Sequence, residues 1–157
     1  MNVYAERLGM TNTNFVNSSG WPDDNHYSTV YDLGILSNAI IRDFPDLYTY
    51  FKMEEFTYND ITQPNRNKLL YQVQGADGLK TGFTKESGWG IAATALRNDR
   101  RITVVINGTN SSRSRLNESS NLINWAFNQT SQQTLVEKEQ FIKEVDVWLG
   151  SESSINL

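Results

Sequence analysis

The run Asp77-Gly78-Leu79-Lys80-Thr81-Gly82-Phe83-Thr84 sets an ammonium, a hydroxyl and a glycine in succession inside a stretch of strand character. Lys80 can attract a carboxylate as a point charge, Thr81 can hydrogen-bond it, and Gly82 leaves room for it. These residue types support holding an anionic ligand rather than breaking a bond. An extended peptide could lie along such a strand with its backbone paired to the protein's, the mode of β-augmentation. The plain alternative is a strand running into a turn, and a tripeptide by itself is a modest signal.

Other chemistries find little material. The 157 residues contain one histidine, His26, and no cysteine, which excludes disulfides, thiolate metal sites and cysteine nucleophiles. A Ser-His-Asp triad assembles across a fold and is not excluded by spacing, but His26 stands just ahead of a helix-capping Ser28-Thr29, and a structural role is preferred. Acidic residues are scattered without ligand spacing, so neither a metal nor a cofactor is expected. The balance of 14 Lys+Arg against 18 Asp+Glu, a formal charge of −4 without a basic run, argues against a nucleic-acid partner. No apolar stretch approaches the roughly 18–20 residues of a membrane span, so no membrane anchor is expected within the chain. Residues 1–20 carry no apolar core of the signal-peptide kind.

The elements that must position Lys80 follow from periodicity. Met1, Tyr4, Ala5 and Leu8 are spaced as a helix that ends at Gly9. Residues 10–28 are rich in Asn, Ser, Gly and Pro and read as irregular backbone. Thr29 with Asp32 resembles a capping box opening a helix with Val30, Leu33, Leu36, Ala39 and Ile40 on its apolar stripe, and Pro45 marks its end. A short strand is expected at 55–58 and a polar loop at 59–76. Leu79–Phe83, Gly90–Leu96 and Ile102–Asn107 read as strands, the last two joined by a turn at Arg97–Arg100, and Arg113–Asn128 reads as a helix. Beyond a polar linker at 129–134, Val145, Val147 and Leu149 alternate as a strand would. The fold class is therefore α+β, an antiparallel sheet of at least three strands with packed helices.

Lys80-Thr81-Gly82 is also one of three motifs shared by class A β-lactamases and penicillin-binding proteins. Its flanks carry a wider likeness: Leu8-Gly9-Met10-x-Asn12-Thr13-x-Phe15, His26-x-Ser28-Thr29-x-x-Asp32-Leu33, Arg42-Asp43-Phe44-Pro45, Phe56-Thr57-Tyr58-Asn59 and Gln63-Pro64-Asn65-Arg66-Asn67. In type and order these blocks resemble the D-alanyl-D-alanine carboxypeptidases, low-molecular-mass penicillin-binding proteins of the serine peptidase kind, from Met1 to about Phe127. The resemblance implies a β-lactamase/transpeptidase-like fold and an acyl-enzyme route, in which a serine cleaves the bond between two D-alanines of a peptidoglycan stem peptide. It further implies β-lactams as inhibitors of the full-length enzyme, and a site in the periplasm or on the outer face of the inner membrane. In that scheme Lys80 and Thr81 hold the substrate's terminal carboxylate, the strand after Gly82 aligns its backbone, and Arg115 matches a family arginine that receives the same carboxylate. A solvated helix-start arginine is the structural alternative for Arg115. Arg66 matches another family arginine and is expected as an ion-pair partner within its loop. Where many relatives carry histidine after the motif, this chain has Phe83, which puts any role of that side chain in doubt.

The family nucleophile lies in Ser-x-x-Lys, and no such sequence occurs among these residues. The second motif, Ser-x-Asn, is matched only at Ser119-Ser120-Asn121 and Ser154-Ile155-Asn156, both after Lys80 and so out of family order. The expectation is thus the C-terminal part of a catalytic domain over residues 1–130, and a linker with the start of a truncated β-rich domain over 131–157, without catalytic residues and inactive alone. Two other readings compete: a non-catalytic module binding peptidoglycan peptides or β-lactams, and a fragment of a class A β-lactamase. The latter fits worse, because the chain continues past its last helix into strand-like sequence.

Overall fold

The computed structural model describes residues 1–137 and 140–156. Helix α1 (Asn2–Arg7) stops where expected: Gly9 takes the left-handed φ of 79° that lets the chain turn out of the helix. Irregular backbone follows, with one bridge between Asn14 and Tyr27. Thr29 caps α2 (Val30–Asp43), its hydroxyl accepting the Asp32 N–H at 3.0 Å. The reciprocal half of the expected capping box is absent. Asp32 is buried and turns its carboxylate to the Asn12 N–H at 2.9 Å and the Thr13 hydroxyl at 2.6 Å, which ties the irregular segment to the helix. Pro45 opens α3 (Pro45–Tyr48), and a 3-10 turn at Thr49–Lys52 follows.

The expected strand at 55–58 is β1 (Glu55–Tyr58), but the expected loop at 59–76 holds two elements. Asn59 and Asp60, with φ of 49° and 61°, turn the chain back into β2 (Ile61–Pro64), and Leu69 is fully buried in the single turn of α4 (Leu69–Gln72). The central sheet then runs β3 (Ala76–Thr84), β4 (Gly88–Arg97) and β5 (Arg100–Thr109), antiparallel throughout in that spatial order, before α5 (Ser112–Gln129). The strand expected from Val145 to Leu149 is cut short: β6 (Glu144–Asp146) pairs with β7 (Ser154–Asn156), and Leu149 lies in the connection with a φ of 60°.

Alternation along β4 sends its two sets of side chains to different layers. Ile91, Ala93 and Ala95 form a core with Leu69, Val73 and Ile123, so α4 and α5 cover one face. Thr94 points the other way, toward Tyr48 of α3, and Thr103 on β5 donates to Asn38 of α2 at 2.8 Å. The sheet is therefore covered on both faces, while β3 remains an edge strand.

The start of β3 is clamped by charge. Arg101 grips Asp77 with two N–H groups, at 2.7 and 2.8 Å, and the Tyr48 and Thr94 hydroxyls donate to the same carboxylate at 2.8 and 2.9 Å. A Cβ on Gly78 would sit 2.6 Å from the Tyr48 hydroxyl, so glycine is required there. Burial pushes the Tyr48 phenol up to about 12, which keeps it a donor. Burial also pushes the Asp77 carboxyl up, but the hydrogen bonds from Arg101, Tyr48 and Thr94 outweigh it and hold the group below the ordinary carboxylate range. A lowered folded-state pKa adds stability above the unfolded value of about 3.9, and that contribution is lost as pH falls through the folded value. Asp77→Asn is therefore expected to cost about 2–3 kcal/mol at pH 7. Urea unfolding at pH 7 and pH 3 should show a smaller acid-induced loss in the variant than in the unmodified chain; equal losses would contradict the clamp.

Candidate functional site

Lys80, Thr81 and Gly82 lie in the exposed-edge strand β3, paired through Ala92, Ile91 and Gly90 to β4 alone. Their order has a geometric consequence, because successive side chains leave opposite faces of the strand. Thr81 turns toward the α5 side, across from Ile91, whereas Lys80 leaves the other face and is exposed. The Lys80 ammonium donates to the Thr81 carbonyl oxygen at 2.5 Å, so it stays at the strand edge. A Cβ on Gly82 would meet nothing within 4 Å: the space beside the strand is open, as the sequence implies.

Arg115 enters from beneath. Ser111 caps α5, accepting the Ser114 N–H at 3.0 Å, and this sets the first turn of the helix under the Gly82 end of β3. Arg115 is 8% exposed, which rules out the solvated helix-start reading. Its guanidinium donates to the carbonyls of Gly82 at 3.3 Å and Gly90 at 3.5 Å and lies 5.3 Å from the centre of the Trp89 ring. The ion pairs among the described residues are Arg42–Asp43 and Arg101–Asp77, so Arg115 has no carboxylate partner. Burial alone lowers its pKa from the ordinary arginine value. A buried cation served only by carbonyl oxygens retains unspent capacity for an anion.

These groups line an open groove of about 1040 Å³, into which Arg66 and Lys68 also face. Among the described residues no Asp or Glu lines it, although the chain carries a net charge of −4. Local positive charge in an acidic protein favours entry of an anionic ligand. Arg66 corrects the expectation of an ion pair: it is exposed in the groove, with no acidic partner among the described residues.

His26 serves the loop. Its Nδ1 accepts the N–H groups of Val16 at 3.3 Å and Asn17 at 3.4 Å, and its ring meets Phe15 edge-on at 5.8 Å. An Nδ1 that accepts from the backbone cannot donate to an orienting carboxylate, as the histidine of a triad does. The two out-of-order Ser-x-Asn matches are structural as well: the buried Ser119 hydroxyl donates to the Arg115 carbonyl at 2.7 Å inside α5, and Ser154 begins β7.

Three contributors escaped sequence reasoning. Trp89 sits over Arg115. The Asp77–Arg101 clamp joins positions far apart in the chain. Buried Asn67 donates to the Gly78 carbonyl at 2.8 Å and accepts the Leu69 N–H at 3.2 Å, fastening α4 to β3 just ahead of Lys80. Only Asn67 left a local trace, an asparagine two residues ahead of the apolar pair Leu69-Leu70 that starts a helix.

Among the described residues no group of acidic or imidazole side chains could hold a metal ion, and no helix is long and apolar enough to cross a membrane. The sequence profile of peptidase family S11, D-alanyl-D-alanine carboxypeptidase, matches residues 1–110. D-alanyl-D-alanine carboxypeptidase DacC of Escherichia coli K12 is 39% identical over 158 residues, covering 100% of this chain and 40% of its own length. DacA of Haemophilus influenzae is 36% identical, again over 100% of this chain and 40% of the relative. Among solved structures, penicillin-binding protein 5 from Haemophilus influenzae superposes with a TM-score of 0.91 at 35% identity, over 99% of this chain and 46% of that one. Penicillin-binding protein D2 from Listeria monocytogenes, in its cefotaxime-bound form, gives a TM-score of 0.75 at 32% identity, over 80% of this chain and 53% of that one. The chain thus spans about two fifths of the curated relatives it matches.

Proposed function

Because the chain belongs to the D-alanyl-D-alanine carboxypeptidase family, we propose that its parent protein removes the terminal D-alanine from peptidoglycan stem peptides, and that these residues receive the substrate's carboxylate. In the parent, a serine adds to the carbonyl carbon between the two D-alanines, the amine of the last D-alanine leaves with a proton, and water then cleaves the acyl ester. The serine belongs to Ser-x-x-Lys, which these residues do not contain. What they contribute is position. Lys80 and Thr81 meet the terminal carboxylate from the strand edge, Arg115 meets it from below, and the peptide's backbone pairs along β3 beyond Gly82.

One observation carries this reading: Arg115 is buried beside Lys80-Thr81-Gly82 with no anion of its own among the described residues. β-Lactams, which carry a carboxylate next to an acylating carbonyl, would bind the parent enzyme at the same edge. Its working place would be the periplasm or the outer face of the inner membrane. The β6–β7 ladder, which pairs with no strand of the central sheet, supports residues 131–157 as a linker and the opening of a second, β-rich domain after a catalytic part at 1–130. That continuation past α5 also speaks against a class A β-lactamase. A non-catalytic binding module remains the second reading, favoured by a formed carboxylate side without a nucleophile.

Calorimetric titration with acetyl-Lys-D-Ala-D-Ala tests the site. The free acid is expected to bind saturably, and both its C-terminal amide and the Lys80→Ala variant to weaken binding by about tenfold or more, the scale of one charge-assisted hydrogen bond. Equal binding of acid and amide would overturn the assignment.

A further inference from the structure

Among the described residues Arg115 has no anionic partner, and an aromatic ring lies beside it. Its two main-chain hydrogen bonds, at 3.3 and 3.5 Å, are long and fix the guanidinium only loosely. The Trp89 ring lies 5.3 Å from the guanidinium carbon, within the range where a cation is attracted to the face of an indole. Register places that ring. Phe83 and Trp89 face each other across β3 and β4, on the side of the sheet that also carries Thr81 and Ile91. Their rings pack at 4.4 Å with a 35° tilt, and the Thr109 hydroxyl donates to the Trp89 carbonyl at 2.9 Å, so the indole is fixed both through its ring and through its backbone.

We propose that Trp89 is a positioning residue for Arg115: the indole shields part of the guanidinium from water and keeps its free N–H groups turned to the groove, so that carboxylate affinity depends on that ring. The proposal rests on the carboxylate reading of the Lys80-Thr81-Gly82 edge. Covering a cation with a ring removes competing water without neutralising the charge, as a carboxylate partner would. Arg115 therefore meets an incoming carboxylate as its first anion. Phe83 contributes by backing the indole, which gives the side chain after the motif a structural use different from that of a histidine.

The test is a double-mutant cycle on the 157-residue chain, with acetyl-Lys-D-Ala-D-Ala as probe, together with the NMR signal of the Arg115 Nε–Hε group. Trp89→Leu is expected to weaken binding by about fivefold to tenfold and to move the Nε–Hε signal as the ring current is lost. Trp89→Phe retains a ring and should restore most of both readouts, and it serves where the leucine variant does not fold. In an Arg115→Ala background, Trp89→Leu should change affinity by less than about twofold, because the ring then has no cation to hold. An undiminished loss of affinity in that background, or an Nε–Hε signal indifferent to Trp89→Leu, would overturn the proposal. The NMR readout needs no ligand. A chain that fails to bind the peptide acid therefore counts against the carboxylate reading, while the signal still decides whether Trp89 holds Arg115.

Discussion

No covalent adduct is expected when the 157-residue chain is incubated with a fluorescent penicillin. Acylation needs a nucleophile with a base in reach, and these residues contain no Ser-x-x-Lys. Two serines lining the groove are occupied otherwise. The Ser19 hydroxyl donates to the Asn17 side chain at 3.1 Å, and Ser87 shares a hydrogen bond with Thr84 at 2.8 Å. Lys80 offers no substitute base, since it spends its ammonium on the Thr81 carbonyl. Loss of a serine nucleophile in a comparable acyl-transfer enzyme lowers turnover by about 10⁶-fold. Gel fluorescence should stay at background over hours, and a labelled band that survives denaturation would contradict the account.

Under the proposed function, the expected silence in acylation and the expected binding of a carboxylate belong to two halves of one active site. In acyl-transfer catalysis, holding the substrate and attacking it are distinct tasks that different segments can supply. The family's nucleophile motif belongs to one segment, and Lys80, Thr81, Gly82 and Arg115 to another. Both expectations can therefore hold for the same molecule.

Legibility in the sequence followed the range of each interaction. Lys80-Thr81-Gly82 was readable because three adjacent residues carry the chemistry and alternation around them marks a strand. The sheet β3–β5 and α5 were readable for the same reason, since each repeats its period over several residues. The burial of Arg115 was not readable, because it depends on α5 packing beneath a strand 33 positions away. Asp77 with Arg101, 24 positions apart, was hidden in the same way.

Two errors in the elements had local causes. Ile61–Pro64 is polar, short and ends in proline, which suggested a loop, yet Asn59-Asp60 is a turn pair that tolerates positive φ and closes a hairpin. Val145, Val147 and Leu149 alternate as a strand does, but only Val145 lies in β6 and Leu149 takes a left-handed φ. Period alone did not distinguish a three-residue strand with a turn from a five-residue strand. An arginine in a polar loop usually finds an acid, whereas Arg66 faces a groove with none among the described residues.

The central claim is that these residues form the substrate-receiving part of a D-alanyl-D-alanine carboxypeptidase. A chimera tests it most directly: residues 1–130 replace the matching segment of the Escherichia coli relative, which supplies the remainder of the protein. The match covers the whole of this chain at 39% identity, so the segment to be replaced is defined end to end. The chimera, checked as a cooperatively melting monomer, is given a pentapeptide ending in D-Ala-D-Ala, and free D-alanine is measured with time. The account predicts steady release of one D-alanine per peptide, falling by about a hundredfold or more in kcat/KM when Lys80→Ala removes the ammonium that meets the carboxylate. A folded chimera that takes up penicillin covalently but releases no D-alanine would contradict it.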